Sequence, residues 1–386
     1  MVTVRVSRKG ALRWASGHPW IFMSDVVDSG GAGAGDVVRV TDAAGTPIGT
    51  AHWSSTSQIS LRLLDRQMVT VDRDLFLGRL RKAQALRQRV VRDTDAYRLV
   101  HGEADLLPGL VVDRYGDCLV VQFLSQGMHR AGPVIVNCLR EIFSARAIVA
   151  RNDAASRSLE SLPREVKLLH GELNGPVSLR MNGLSLEADL LAGQKTGIFL
   201  DQRENYLAAA TRAHGHALDC FTSTGGFALQ MAWRCGSVEA VDSSASSLAT
   251  AEHNRAANGI SNVRFREADV FELLTGYDAA RRRFDTIVLD PPAFAKSRSA
   301  VESALRGYYE INHRALRLLS PGGVLITCSC SHHVQEAVLL ETVARAAVDA
   351  GRNLRVVARL TQGADHPILL TVPETHYLKC LIFEAL

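Results

Sequence analysis

The sequence predicts an α/β chain of three sections: a small β-rich section over 1–71, a mixed α+β section over 72–188, and a larger section over 189–386 built on a parallel sheet covered on both faces. Three observations carry this reading. From about residue 189, short apolar runs alternate with helix-like stretches, the rhythm of a sheet wrapped by helices. Acidic residues end or follow four successive runs in that section. Near the N-terminus, short alternating runs are separated by Gly-rich turns.

Composition bounds the possibilities. The 386 residues are 47% apolar and 22% charged, as in ordinary globular proteins, and suffice for two or three domains. No stretch approaches the roughly 18 apolar residues of a membrane span. The opening Met-Val-Thr-Val-Arg-Val alternates like a strand and carries no leader-like apolar core. Seven cysteines without a CxxC pair argue against a zinc site or a disulfide framework, so no metal is expected and a reducing cytoplasm is. The net charge of +4 is uneven: residues 1–100 hold 15 Lys and Arg against 9 Asp, a net of +6, which leaves −2 for the remainder. A basic N-terminal third suits nucleic acid, and equally a solvated surface.

In chain order, 3–6, 36–41, 48–52 and 58–63 read as strands, with turns at 29–35 and at Ala44-Gly45. A helix over 72–91 follows from Leu75, Phe76, Leu80, Ala83, Leu86 and Val90 at helical spacing, with Arg and Lys assigned to the other face. In the second section, 111–113 and 119–123 are strands joined by a Tyr115-Gly116-Asp117 turn, and 133–143 is a helix. Met181-Asn182-Gly183-Leu184 signals a hairpin, because Asn-Gly readily takes the positive φ angles of a type I′ turn. In the third section the strands are 217–220, 238–241, 263–266, 286–289 and 324–327, with helices such as 248–258 and 304–319 between them. The tail, 376–384, is strand-like and ends without another helix.

The first strand of the third section runs into Asp219-Cys220-Phe221-Thr222-Ser223-Thr224-Gly225-Gly226-Phe227 and then a helix. Glycines let the backbone approach a ligand closely, and a helix start offers free N–H groups. The stretch is not GxGxxG, so a dinucleotide fingerprint is absent. Asp242 ends the second strand, where an acid bonds ribose hydroxyls; Asp269, after the third, could meet an adenine amine; Asp290 follows the fourth. Any one of these reads equally well as a helix cap. Four in succession, with Gly225 and Gly226 after the first, point to a nucleoside cofactor. An acidic lining suits a positive sulfonium, namely S-adenosylmethionine, better than a pyrophosphate.

Two stretches carry the chemistry: Asp290-Pro291-Pro292-Ala293-Phe294 after one strand and Thr327-Cys328-Ser329-Cys330-Ser331 at the end of another. Chemistry in an open α/β sheet sits outside the carboxyl ends of the strands. A carboxyl group and a thiol placed there suit methylation of a pyrimidine carbon.

At this point the chain resembles RlmI-type large-subunit rRNA cytosine-C5 methyltransferases over nearly its full length. The residues that carry the resemblance are Gly17-His18-Pro19-Trp20; Glu103, Leu107-Pro108-Gly109-Leu110 and Asp113-Arg114-Tyr115; Gly193-Gln194-Lys195-Thr196-Gly197 with Leu200-Asp201-Gln202-Arg203; Asp219 to Phe227; Asp290 to Phe294; Ser329-Cys330-Ser331; and Asp365-His366-Pro367 with Pro373-Glu374. The resemblance implies an N-terminal PUA domain, an RNA-binding fold, over 1–71, then a central α+β domain, then a class I (Rossmann-like) S-adenosylmethionine-dependent methyltransferase domain over 189–386. It also implies that Lys195, Thr196, Asp201 and Arg203 border the cofactor, with Asp219, Phe221, Thr224, Gly225, Gly226, Asp242, Asp269 and Asp290. The partner it implies is large-subunit rRNA, with no membrane. Exposed strands in the first two sections would permit a homodimer.

The reaction asks for these residue types. C5 of cytosine is a poor nucleophile; a thiolate adding to C6 activates it, and hydrogen bonding at N3 stabilises the developing charge. Cys330 is the expected nucleophile, by its position beyond the fifth strand and its match to Ser-Cys-Ser, and Asp290 the expected partner of N3. Cys328 reads as a buried filler. Position 293 is Ala, so the acceptor of the C5 proton is unassigned; His332 and His333 beside Cys330 are candidates that read equally well as solvent-facing or structural residues. Phe294 is placed to stack on an extruded base or to pack its own loop. Arg5, Arg8, Lys9 and Arg13 could hold an RNA backbone. The alternative chemistry is methylation of a purine's exocyclic amine, which uses an Asp/Asn-Pro-Pro-aromatic motif and no cysteine; Ala293 between Pro292 and Phe294 argues against it.

Overall fold

The computed structural model describes residues 1–386 apart from Gln194, Lys195 and Lys296. The chain forms two units: Met1–Leu179 with Ala188–Ile198 and Ala364–Thr375, and Arg180–Glu187 with Phe199–Gly363 and His376–Leu386.

The first unit opens with a six-stranded sheet: β1 (Val2–Val6), β2 (Trp20–Phe22), β3 (Val26–Asp28), β4 (Val37–Thr41), β5 (Pro47–Trp53) and β6 (Ile59–Asp65), in the order β2-β6-β5-β4-β1-β3. β1 pairs parallel with β4; the other neighbours are antiparallel. Alternation turns Val4, Val6, Val38, Val40, Ala51 and Leu61 into one core, which Trp14 of helix α1 (Arg8–Ala15) completes. α1, β2 and β3 go beyond the sequence reading: three-residue strands show no alternation to read, and α1 spans only about two turns.

Helix α2 (Arg73–Val90) starts where the sequence places it, capped by the Asp72 carboxylate, which accepts from the N–H groups of Asp74 and Leu75 at 3.1 Å. A five-stranded sheet follows, β7 (Ala96–His101), β8 (Leu110–Tyr115), β9 (Cys118–Phe123), β10 (Ala147–Asn152) and β11 (Glu165–Gly171), in the order β11-β10-β9-β8-β7. Leu80 and Ala83 of α2 and Met128, Ile135 and Leu139 of α3 (Gln126–Phe143) pack in its core. α3 begins well before Pro133, which lies inside it rather than opening it. Ser125 Oγ caps the true start by accepting from Met128 N at 3.3 Å.

One expectation for α2 is corrected. Its cations do not all face solvent: Arg79 and Arg87 are buried. Arg87 donates to Asp105 Oδ1 at 2.5 Å, to Arg98 O at 2.9 Å and to Asp365 O at 2.8 Å, so it ties α2 to residues far along the chain. Other residues that carried the resemblance are struts of the same unit. Trp20 Nε1 donates to Glu103 Oε1 at 2.9 Å, and Asp365 Oδ2 accepts from Arg98 N at 2.8 Å. Removing one member of a buried ion pair strands the other without water. Arg87→Met is therefore expected to lower stability by about 3 kcal/mol, read as a fall in the urea midpoint of the full chain.

A hairpin, β12 (Val177–Met181) and β13 (Leu184–Ala188), turns at Asn182 (φ 53°) and Gly183 (φ 80°), the two positive angles that Asn-Gly predicts.

The second unit is a seven-stranded sheet: β14 (His216–Cys220), β15 (Ser237–Asp242), β16 (Val263–Glu267), β17 (Phe284–Leu289), β18 (Leu319–Ser329), β19 (Leu354–Leu360) and β20 (Lys379–Ala385). Their order is β16-β15-β14-β17-β18-β20-β19. The sheet is not wholly parallel as the sequence suggests: β20 runs antiparallel to both β18 and β19. Helices α4 (Arg203–Ala210), α5 (Gly226–Met231), α6 (Ala245–Ala257), α7 (Val270–Ala279), α8 (Val301–Leu318) and α9 (Glu336–Asp349) connect the strands. Leu274, Tyr308, Ile311, Leu339 and Val343 from α7, α8 and α9 pack with Leu218, Ile287 and Leu325 of the sheet.

Candidate active site

From β14 the chain continues to β15 on one side of the sheet, and β17 and β18 lie on the other. Ligands in such sheets bind outside the carboxyl ends of the strands at this reversal. Asp219, Asp290 and Cys330 all lie at that edge: Asp219 next to last in β14, Asp290 directly after β17 and Cys330 directly after β18. Asp290 N donates to Cys220 O at 3.3 Å, which holds the two strand ends together.

Asp219 is fully buried. Burial, with the neighbouring Asp290 and Asp242 carboxylates, pushes its carboxyl up to about 7, although Thr222 Oγ1 (2.6 Å) and Ala228 N (3.0 Å) donate to Oδ2. Its Oδ1 is buried and without a hydrogen-bond partner among the described residues. The loop after β14 holds three residues in the left-handed region, Phe221 (φ 65°), Ser223 (φ 51°) and Gly225 (φ 88°). Two of them are not glycine, and strain of this kind clusters where backbone is shaped for a ligand. Gly226 lets Tyr206 pack on the loop: a Cβ there would lie 2.4 Å from the ring. Thr224 accepts from Asn254 Nδ2 through its carbonyl at 3.5 Å.

Asp242 ends β15, and each of its oxygens accepts one backbone N–H, from Ser223 and Ser244, at 2.9 Å. A carboxylate oxygen has two lone pairs, so both retain capacity for ribose hydroxyls. Asp269 caps α7, accepting from Glu272 N at 3.0 Å; the helix-cap reading and the ligand reading thus coexist in one side chain.

Asp201 and Arg203 are buried in the second unit. Tyr377 Oη donates to Asp201 Oδ2 at 2.7 Å, and Arg203 O accepts from Asn182 Nδ2 at 2.8 Å. Thr196 belongs to the first unit, where its hydroxyl donates to Asp113 Oδ2 at 2.6 Å and lies 2.9 Å from Tyr115 Oη. Lys195 lies outside the described residues.

The thiol side of the site is tightly framed. Cys330 is partly exposed, and the other six cysteines are buried. Its Sγ lies 4.0 Å from Pro291 O, in the Asp290 loop. Ser331 Oγ accepts from Ala295 N at 3.1 Å and is 2.9 Å from Tyr308 Oη, to which Ser329 Oγ also donates at 2.9 Å. Tyr308 of α8 therefore clamps the two motif loops together. Cys328 faces Cys380 across β18 and β20, and burial holds its thiol well above the usual range. A buried, protonated thiol is a poor nucleophile.

Several site residues were not visible in the sequence. Gln202 Nε2 donates to Asp290 Oδ1 at 2.9 Å, and Asn205 Nδ2 donates to Gln202 Oε1 at 2.7 Å. This relay fixes the face that Asp290 presents. Gln202 does stand inside the quoted run Leu200 to Arg203, so its neighbours were a signal. Tyr308 and Lys379 gave none. Phe294 is half-buried against α8 and α7: its ring is 4.9 Å from Tyr308 and 6.1 Å from Phe271. His332 and His333 are exposed. Among the described residues no group of three or more His, Cys, Asp or Glu is assembled for a metal ion, and no helix is long and apolar enough to cross a membrane.

The strand order, the strained loop and the row of carboxylates define a class I methyltransferase domain, and comparison with known proteins agrees. A methyltransferase-domain model matches residues 212–368, and a PUA-like-domain model matches residues 4–66. The chain is 42% identical over 376 residues to ribosomal RNA large subunit methyltransferase I of Shewanella denitrificans, covering 95% of this chain and 94% of that protein. It is 40% identical over 381 residues to the protein of the same name from Tolumonas auensis, covering 96% of each. The chain belongs to the ribosomal RNA large subunit methyltransferase I family. Its fold is similar to that of SMU.776, solved in complex with SAH, with a TM-score of 0.86, 20% identity and 100% of both chains covered.

Proposed function

We propose that the protein methylates C5 of a cytosine in large-subunit rRNA, with S-adenosylmethionine as methyl donor and a transient bond between Cys330 and C6 of the base. One observation carries the cytosine reading: a single partly exposed thiol, against six buried ones, stands 4.0 Å from the Asp290-Pro291 loop at the carboxyl edge of the sheet.

The site fits the donor. Asp219 has a buried oxygen without a hydrogen-bond partner among the described residues, and two carboxylate neighbours, an arrangement that asks for a cation. Asp219, the loop through Gly225 and Gly226, Asp242 and Asp269 would hold the cofactor, which supplies an electrophilic methyl group when bound. Cys330 as thiolate adds to C6, and the electrons displaced onto the ring make C5 nucleophilic. Asp290, held by Gln202 at Oδ1, acts as the carboxylic acid: its O–H donates to N3, or passes its proton there, and so stabilises the charge that develops on the ring. Once C5 carries the methyl group, loss of its proton restores the double bond and expels the Cys330 thiolate. A base within folded rRNA must be extruded to reach this edge. The basic first section, with Arg5, Arg8, Lys9 and Arg13, supports RNA-backbone binding; Arg5 lies 3.9 Å from Asp28, an exposed contact that salt would screen, and Lys9 lies 3.9 Å from the buried Asp25.

Asp219 gives the cofactor site a pH dependence. Its carboxyl is raised from the ordinary value to about 7, so in the ligand-free protein its contribution to stability is full in acid and is lost as pH rises through about 7. Ionised, it favours a cation. Affinity for S-adenosylmethionine should therefore rise by up to about tenfold per pH unit below neutrality and level off above it. Asp219→Asn should flatten the profile in calorimetry. A wild-type affinity independent of pH between 5.5 and about 7.5 would remove this role.

The function is tested by incubating undermethylated large-subunit rRNA with methyl-labelled S-adenosylmethionine and digesting to nucleosides. Label in 5-methylcytidine is the expected result. Label in a methylated purine would replace the proposal with amine methylation.

A further inference from the structure

We infer that Lys379 is a positioning residue for the nucleophile: its ammonium holds the Cys330 sulfur in the thiolate form. The inference rests on the reading of Cys330 as nucleophile and deepens it.

Lys379 opens β20, and its pairing with Ser329 of β18 sets it beside the strand end that carries Cys330. The side chain is only 3% exposed. Nζ donates to Ser331 O and to Tyr377 O, each at 2.8 Å. These carbonyls fix the ammonium one residue from Cys330 without neutralising it. Burying an ammonium is costly unless an anion accompanies it. Burial lowers the Lys379 ammonium, and the acidic groups that oppose this are Cys330 and Glu336. Glu336, at the start of α9, is already held by Arg359 Nε at 2.5 Å. The Cys330 sulfur, one residue from the Ser331 carbonyl that Nζ bonds, is then the anion placed for the buried cation. Tyr308 of α8 acts electrostatically with both Cys330 and Asp290, and the exposed His332 and His333 follow the thiol in sequence; the phenol and the carboxyl bring no positive charge that would favour a thiolate. Burial lowers the Lys379 ammonium to about 8, which leaves it charged at neutral pH.

A cation beside a thiol favours the thiolate. The purely structural role, holding Ser331 by hydrogen bonds, would not alter the sulfur's titration. Alkylation by iodoacetamide, mapped to Cys330 by peptide mass spectrometry across pH, separates the two in the full chain. In the wild type the midpoint should fall below the ordinary thiol value of about 8.5. In Lys379→Gln, which keeps donors for both carbonyls, and in Lys379→Met, it should rise, with alkylation at pH 7 slowed about tenfold. A wild-type midpoint at or above about 8.5 overturns the inference even if the variants do not fold. An unmoved midpoint in either folded variant overturns it too. Wild-type adduct formation with 5-fluorocytidine RNA, run in parallel, isolates the cause. An adduct at Cys330 with an unmoved profile removes the lysine's role alone, whereas no adduct removes the nucleophile assignment itself.

Discussion

Cys330→Ala is expected to lower 5-methylcytidine formation by at least about 10³-fold and to leave S-adenosylmethionine affinity nearly unchanged. The thiol is asked to make a bond, so no neighbour can replace it. Cys328 and Cys380 are fully buried and paired across the strands, and cannot reach a base without breaking the sheet. Cys328→Ala should consequently keep most of the activity. Single-turnover methylation with saturating cofactor checks both variants, and comparable activity in Cys330→Ala would discard the covalent route.

Asp290→Asn should lower turnover by about 100-fold, with a much smaller effect on cofactor affinity. Asn keeps an oxygen for Gln202 Nε2, now 2.9 Å from Asp290 Oδ1, so the loop should stay in place while the carboxyl function at N3 is lost. Gln202→Leu offers the complementary case: Asp290 keeps its chemistry and loses its orientation. It should lie between wild type and Asp290→Asn in single-turnover rate. Equal rates in wild type and Asp290→Asn would remove Asp290 from the reaction and leave it a structural acid.

The catalytic sheet was legible because β14, β15, β17 and β18 are covered by helices, and such strands read as apolar runs. β19 was not: it is an edge strand, and its residues Arg355, Val356 and Val357 are exposed. The start of α3 was hidden by Pro133, which usually opens a helix and here sits within one. Arg87 was misread because helical periodicity assigns every cation to solvent, and only the fold shows the carbonyls of Arg98 and Asp365 that receive it. Among the candidate site residues, Asp219, Asp242, Asp269, Asp290 and Cys330 were legible because each follows or ends a recognisable strand. Gln202, Tyr308 and Lys379 reach the same edge from a segment before β14, from α8 and from β20. Sequence spacing does not encode those approaches; sheet order does.

The most direct test of the central claim is capture of the covalent intermediate. Fluorine at C5 blocks the proton loss that releases the enzyme, so an rRNA fragment carrying 5-fluorocytidine at the target should remain attached after methyl transfer. The expected result is a denaturation-resistant complex, dependent on S-adenosylmethionine, whose cross-linked peptide contains Cys330. Attachment through another cysteine, or methylation of a purine with no complex formed, would contradict it.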